Sequence, residues 1–175
     1  MSILPDLHSD LTRRTDAIVI AFNLATERDP WRRLPEPERI NFLRNLIRPL
    51  AEVAASDPVD AAVCRRVLHI AARHGERRRQ LELPVQILFD DVYYFRYAVC
   101  SQIDYDGSAD AYTAAVTRVD QVLSVVTLAT LRGYYRDEFE ARGEWPDTLE
   151  ALVREMSGVE RRGEATSGLF QERGR

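Results

Sequence analysis

Apolar residues recur at steps of three and four along nearly the whole chain, the spacing of helices rather than strands. The first predicted helix covers residues 4–28. Leu7, Leu11, Ile18, Phe22 and Ala25 form its stripe. Asp29-Pro30 closes it, because the residue before a proline is pushed out of the α region. Leu34-Pro35-Glu36-Pro37 reads as a connector. From Glu38 to Ala55 a second stripe runs through Ile40, Leu43, Leu46, Ile47, Leu50 and Val53, with a kink or break expected at Pro49. Ser56-Asp57-Pro58 opens a third helix, with Asp57 as N-cap and Pro58 at the first helical position. Val59, Val63, Val67, Leu68 and Ile70 give its inner face, and Gly75 its C-cap.

A helix restarts at Pro84. Val85, Leu88, Val92, Phe95, Val99 and Ile103 form a seam like that of a coiled coil. Tyr105-Asp106-Gly107-Ser108 is a turn, and Ser108 caps the helix after it. The longest periodic segment runs from Ala109 to Ala141 through Tyr112, Ala115, Val119, Val122, Val126, Ala129 and Gly133. As one helix it would be about 50 Å long, so part of it is expected to project or to pair with another chain. Pro146-Asp147 caps a last short helix carrying Leu149, Leu152, Val153 and Met156. The stretch from Gly158 is polar and rich in Gly and Arg, a composition expected to be disordered. The pattern as a whole is all-α: one globin-like or helical-bundle domain over residues 1–157 with a long C-terminal helix, then a tail over 158–175. No internal repeat stands out.

Composition narrows the function classes. The 175 residues suffice for one domain with a real core. All 24 basic residues are Arg, which codon bias explains most simply. The net charge is −4, with the acids spread along the chain, and this argues against a general nucleic-acid binder. No apolar run reaches the ~18 residues that span a bilayer. The start, MSILPDLHSDLTRR, lacks a basic n-region followed by an apolar h-region, so no signal peptide is expected and the cytoplasm is the default. Cys64 and Cys100 are isolated and fit no zinc spacing; buried free thiols are expected.

Four groups could carry chemistry. His74-Gly75-Glu76-Arg77-Arg78-Arg79 offers guanidinium forks to an anion; the plainer reading is a solvated helix end, where arginines meet the carbonyl end of the dipole. Asp90, Asp91 and Arg96 share one helix. Asp91 and Arg96 are five apart, too far for the favoured i,i+4 pair, so each is expected to partner another helix, for instance Asp91 with Arg78. Adjacent aspartates on a helix point about 100° apart and do not converge on one metal ion. His69 and His74, also five apart, do not make a helical zinc pair; either could ligate a haem, and a structural role is the plainer alternative. Tyr93, Tyr94 and Tyr97, near Phe89 and Phe95, could line a ligand pocket, although core or interface packing is the ordinary role of such residues. No G-x-G-x-x-G, P-loop, G-x-S-x-G or H-E-x-x-H motif occurs, which points away from an enzyme.

His74-Gly75-x-x-Arg78, a short turn, Ile87-Leu88, Asp91 and Phe95-Arg96 together resemble the amino-terminal helical sensor domains of the RsbR/RsbRD type. That family looks like a haem-free relative of globins and sits ahead of STAS, kinase or transcription-regulator modules in stressosome co-antagonists and related proteins. The resemblance spans residues 4–140 and concentrates in 70–103. The sequence departs from the pattern with Leu81 where Gly is frequent after the basic turn, with Asp91 for the usual Glu, and with no effector module after the long helix. The resemblance implies a non-enzymatic regulatory or sensor protein of bacterial signalling. It would have no cofactor and would act on a separate partner protein, with Arg78, Asp91 and Arg96 holding the turn from His74 to Pro84 in register and His74 and Gly75 as further structural or signalling residues; a homodimer is expected through the long helix from Ala109 to Ala141. A small-molecule or haem-binding sensor, an enzyme using Asp90 or Asp91, and a structural subunit of a larger assembly are the alternatives.

Overall fold

The computed structural model describes residues 4–27, 31–56, 59–103 and 108–157. Their regular elements are α1 (Leu4–Arg13), α2 (Thr15–Ala25), a short 3-10 turn (Trp31–Arg33), α3 (Glu36–Ala55), α4 (Ala61–Gln80), α5 (Gln86–Cys100), α6 (Ala109–Tyr134), α7 (Arg136–Ala141) and α8 (Trp145–Ser157). The described residues form an all-α bundle with no strand. α4 and α6 make the most extensive contact and form its spine. α3 and α8 pack on α4, α5 packs on α6, α1 lies along α3, and α2 bridges α3 and α5. The predicted apolar stripes meet inside: Leu11, Phe22, Leu43, Leu50, Val67, Leu68, Phe95, Val119, Val126, Leu152 and Met156 are all buried in one core.

Several expected boundaries move, each for a local reason. The first helix is two: Arg14 leaves helical geometry at φ −98° and ψ 15°. The Thr15 hydroxyl there bonds back to the Thr12 carbonyl at 2.9 Å, a motif that bends helices. Asp29-Pro30 lies outside the described residues. α3 starts at Glu36 and takes Pro37 into its first turn, where no N–H is required. Pro49 does not interrupt it. Pro49 is itself buried with Leu46, Ile47, Leu50, Ala51 and Val53, and that packing outweighs the roughly 3 kcal/mol penalty of an interior proline.

α4 begins later than expected. Its N-cap is Asp60, which accepts from the Ala62 N–H at 2.7 Å, while Asp57 and Pro58 lie outside the described residues. Gly75 is not a C-cap: α4 continues to Gln80, and Gly75 sits where the backbones of α4 and α6 touch. The left-handed residue after α4 is Glu82, at φ +55°, a place that glycine usually holds. Ser108 does cap α6, accepting from the Ala111 N–H at 3.3 Å.

The segment 109–141 is not one long helix. It breaks at Tyr135, at φ −102° and ψ 27°, and α7 beyond it buries none of its residues. The 26 residues of α6 span about 39 Å, and its apolar face is buried within this chain rather than projecting. Among the described residues α6 is the one helix long and apolar enough to cross a membrane by length and composition, although half of that window is buried inside the bundle. α8 carries Leu149, Leu152, Val153 and Met156 inward, as its pattern predicts. Cys64 is buried, Cys100 is partly buried, and both are free. The tail from Gly158 lies outside the described residues.

Candidate functional site

The most unusual feature of the interior is a buried carboxylate. Asp91, on the inner face of α5, is 1% exposed, and Arg78 of α4 is 0% exposed. Arg78 Nε donates to Asp91 Oδ2 at 2.9 Å, so the expected pairing of Asp91 with Arg78 joins α4 to α5. His74, one turn earlier on α4, brings its Nε2 to the same oxygen at 2.9 Å. Trp31, from the 3-10 turn, donates its indole N–H to Oδ1 at 2.6 Å. Arg78 also reaches α3, donating through Nη1 to the Glu38 carbonyl at 3.0 Å. Its Nη2 is buried and has no acceptor among the described residues. The His74 ring lies flat on Phe42 of α3, with centroids 3.6 Å apart.

The electrostatics follow from burial and pairing. Burial pulls His74 below its ordinary 6.5, against the upward pull of its bond to Asp91. The ring is therefore neutral at pH 7, with its proton placed on Nε2 by the acceptor it faces. Burial raises the Asp91 carboxyl, but hydrogen bonds from His74 and Trp31 and the charge of Arg78 outweigh it and hold the group below 3.8. Since His74 is neutral, its contribution is the N–H rather than a charge, and Arg78 supplies the counter-charge. Both Asp91 oxygens are thus engaged. What this arrangement does is fix four segments in one register, the best-attested use of a buried ion pair.

The other candidate residues do not join this cluster. Arg96 does not hold the turn from His74 to Pro84. It is half exposed and pairs with Asp120 of α6 through two bonds of 2.6 and 2.7 Å, tying α5 to α6 instead. Gly75 faces α6. His69 is exposed on α4, so the two histidines serve different surroundings. Asp90 is exposed while Asp91 is buried, as a 100° separation requires. Tyr94 packs edge-on against Trp31 at 5.7 Å, whereas Tyr93 and Tyr97 face outward, so the three tyrosines do not line one pocket.

Nor do the arginines 77–79 form a solvated helix end as a unit. Arg77 binds Glu38 of α3, Arg78 is in the core, and Arg79 lies over the Tyr134 ring at 5.3 Å. The Tyr134 hydroxyl in turn donates to the Leu83 carbonyl at 2.7 Å, anchoring the turn between α4 and α5 to α6.

Sequence reasoning missed Trp31, Phe42 and Arg118. Arg118, buried in α6, donates to the carbonyls of Ala54 and Ser56 at 3.3 Å each and so closes the C-terminal end of α3. An Arg set within the apolar periodicity of residues 109–133 was the available signal. No group of three or more metal-ligating side chains occurs among the described residues. No family model, curated protein or solved structure matches this chain.

Proposed function

We propose that the protein is a non-enzymatic regulatory or sensor protein that acts by protein–protein contact, with the outer face of α5 as the contact surface. The carrying observation is an aromatic stripe. Phe89, Tyr93 and Tyr97 follow one another at four-residue steps and are 52%, 61% and 63% exposed. Aromatic residues are enriched where proteins meet, and an exposed apolar stripe is a usual mark of such a surface. The stripe lies on the helix whose inner face Asp91 joins to α4, so its register in the folded state is set from behind. The resemblance of residues 70–103 to RsbR-type sensor domains supports the same reading.

The first occupant proposed is a second copy of the chain, and the second is a separate signalling protein. α6, with its apolar face engaged in its own core, leaves this role to α5. Phe89→Ser/Tyr97→Ser tests the surface at two exposed positions and leaves the edge-on contact of Tyr93 with Tyr94 in place. The wild type is expected to sediment as a dimer at micromolar concentration and the variant as a monomer with an unchanged melting temperature. A monomeric wild type removes the second copy. If, in addition, a photo-crosslinker at position 93 captures no defined adduct in the native host, the contact reading fails.

A ligand-sensing alternative is supported by an open groove between α3 and α4. Its haem version is disfavoured, because His74 is committed to Asp91 and Phe42. A structural subunit would instead co-purify with an assembly in fixed stoichiometry.

A further inference from the structure

The groove between α3 and α4 has a volume of about 560 Å³, within the range of small-molecule sites. Phe42, Ile70 and His74 supply apolar and aromatic surface to it. Arg66, Arg73 and Arg77 line the α4 side. The α3 side contributes the amides of Asn41 and Asn45 and one carboxylate, Glu38. With Arg66 paired to Glu52 and Arg77 to Glu38, the groove keeps one uncompensated positive charge, that of Arg73, on a protein whose net charge is −4.

The arginines are not equivalent. Arg66 is paired with Glu52 at 2.8 Å, and Arg77 with Glu38 at 2.5 and 3.0 Å. Arg73, between them, is exposed and makes no salt bridge or side-chain hydrogen bond among the described residues. It stands four residues before Arg77, where like charges on one helix face repel. Its exposed guanidinium is therefore open to an incoming anion. Arg forks suit phosphate oxygens in a bidentate manner. The ring already stacked on His74 offers a flat apolar neighbour, and the two amides offer both donors and acceptors to a polar ring edge.

We propose that this groove binds a small organic phosphate with a flat body, a nucleoside diphosphate being the chemical class that uses all of its lining. Arg73 takes the phosphate with Arg77 beside it, and the base lies toward Phe42 and Ile70. Two of the groove residues, Phe42 and His74, also belong to the shell around Asp91. This site is independent of the α5 contact surface, and neither depends on the other being correct.

The test is isothermal titration of the full chain with ADP, adenosine and inorganic phosphate. ADP is expected to bind most tightly, phosphate weakly and adenosine not measurably. Arg73→Ala should weaken ADP binding by about tenfold or more, the loss of a charge-assisted contact, with no change in melting temperature. Arg73→Lys should recover part of it. Arg48→Ala, an exposed arginine of α3 outside this lining, should leave it unchanged. The proposal is overturned by no ADP binding at millimolar concentration, by equal losses in Arg73→Ala and Arg48→Ala, or by adenosine or phosphate alone binding as well as ADP.

Discussion

α4 is held on two sides by opposite means. Against α6 it is held by shape. A Cβ on Gly75 would overlap the Thr130 carbonyl, and a Cβ on Gly133 would overlap the Ala72 carbonyl, so each helix brings a glycine to the other's backbone. Against α5 it is held by a buried polar cluster, in which Arg78 brings a charge and His74 a neutral N–H to Asp91. The difference is one of tolerance. A steric contact between backbones accepts only the smallest residue and has no chemical substitute. A buried ion pair accepts replacements that fill the volume and leave neither a charge nor a buried donor alone.

The largest effect should come from the glycines. Gly75→Ala or Gly133→Ala is expected to cost about 4 kcal/mol or more, since rigid backbone rather than a side chain must yield. Denaturant melts measure this, and a variant as stable as wild type would remove the steric half of the contrast. Next is the ion pair. Asp91→Ala leaves Arg78 buried without its partner and should cost about 3–5 kcal/mol. The double variant Arg78→Met/Asp91→Leu removes the orphaned charge and should recover part of that loss, the rest remaining with the Trp31 and His74 donors left without an acceptor, whereas no second substitution at Thr130 can rescue Gly75→Ala, because the clash is with main chain. A double variant no better than Asp91→Ala would show that the two sides of α4 are alike.

The smallest effect is on pH dependence. The folded state holds His74 below its ordinary 6.5, so that contribution is complete above about pH 6.5 and is lost as pH falls from there through the folded value. Asp91 adds to the same trend further down, since its stabilisation is present above about 3.8 and is lost as pH drops below it. Melting temperature should therefore decline between pH 7 and 5, and His74→Gln should flatten that interval. An identical slope in the variant would assign the pH dependence to other groups.

What was legible in the sequence was what is periodic or adjacent. The apolar stripes name the core, and the Ser108 cap announces itself locally. The partnership of Asp91 with Arg78 was readable because an unpaired carboxylate within an apolar seam must find a cation on another helix. Contacts between distant segments were not. Trp31 lies 60 residues from Asp91, and no local pattern around it marks its indole as the third donor. Gly75 resembled a helix end because it precedes a basic run, and only the tertiary approach of α6 explains a glycine inside a continuous helix. The break at Tyr135 was hidden because the stripe extends as far as Gly133 and α7 has no buried face to register a change.

The touching backbones of α4 and α6 also set an order of opening. Where each helix's glycine meets the other's main chain, no side chain separates the two backbones, so that crossing is expected to open in one step. The amides at this crossing are expected to be among the most protected from hydrogen exchange. α5, joined to the spine by side chains and flanked by the turns at 81–85 and 101–103, can depart while the spine stays closed. Partial unfolding in this protein should therefore begin on the side that carries Phe89, Tyr93 and Tyr97.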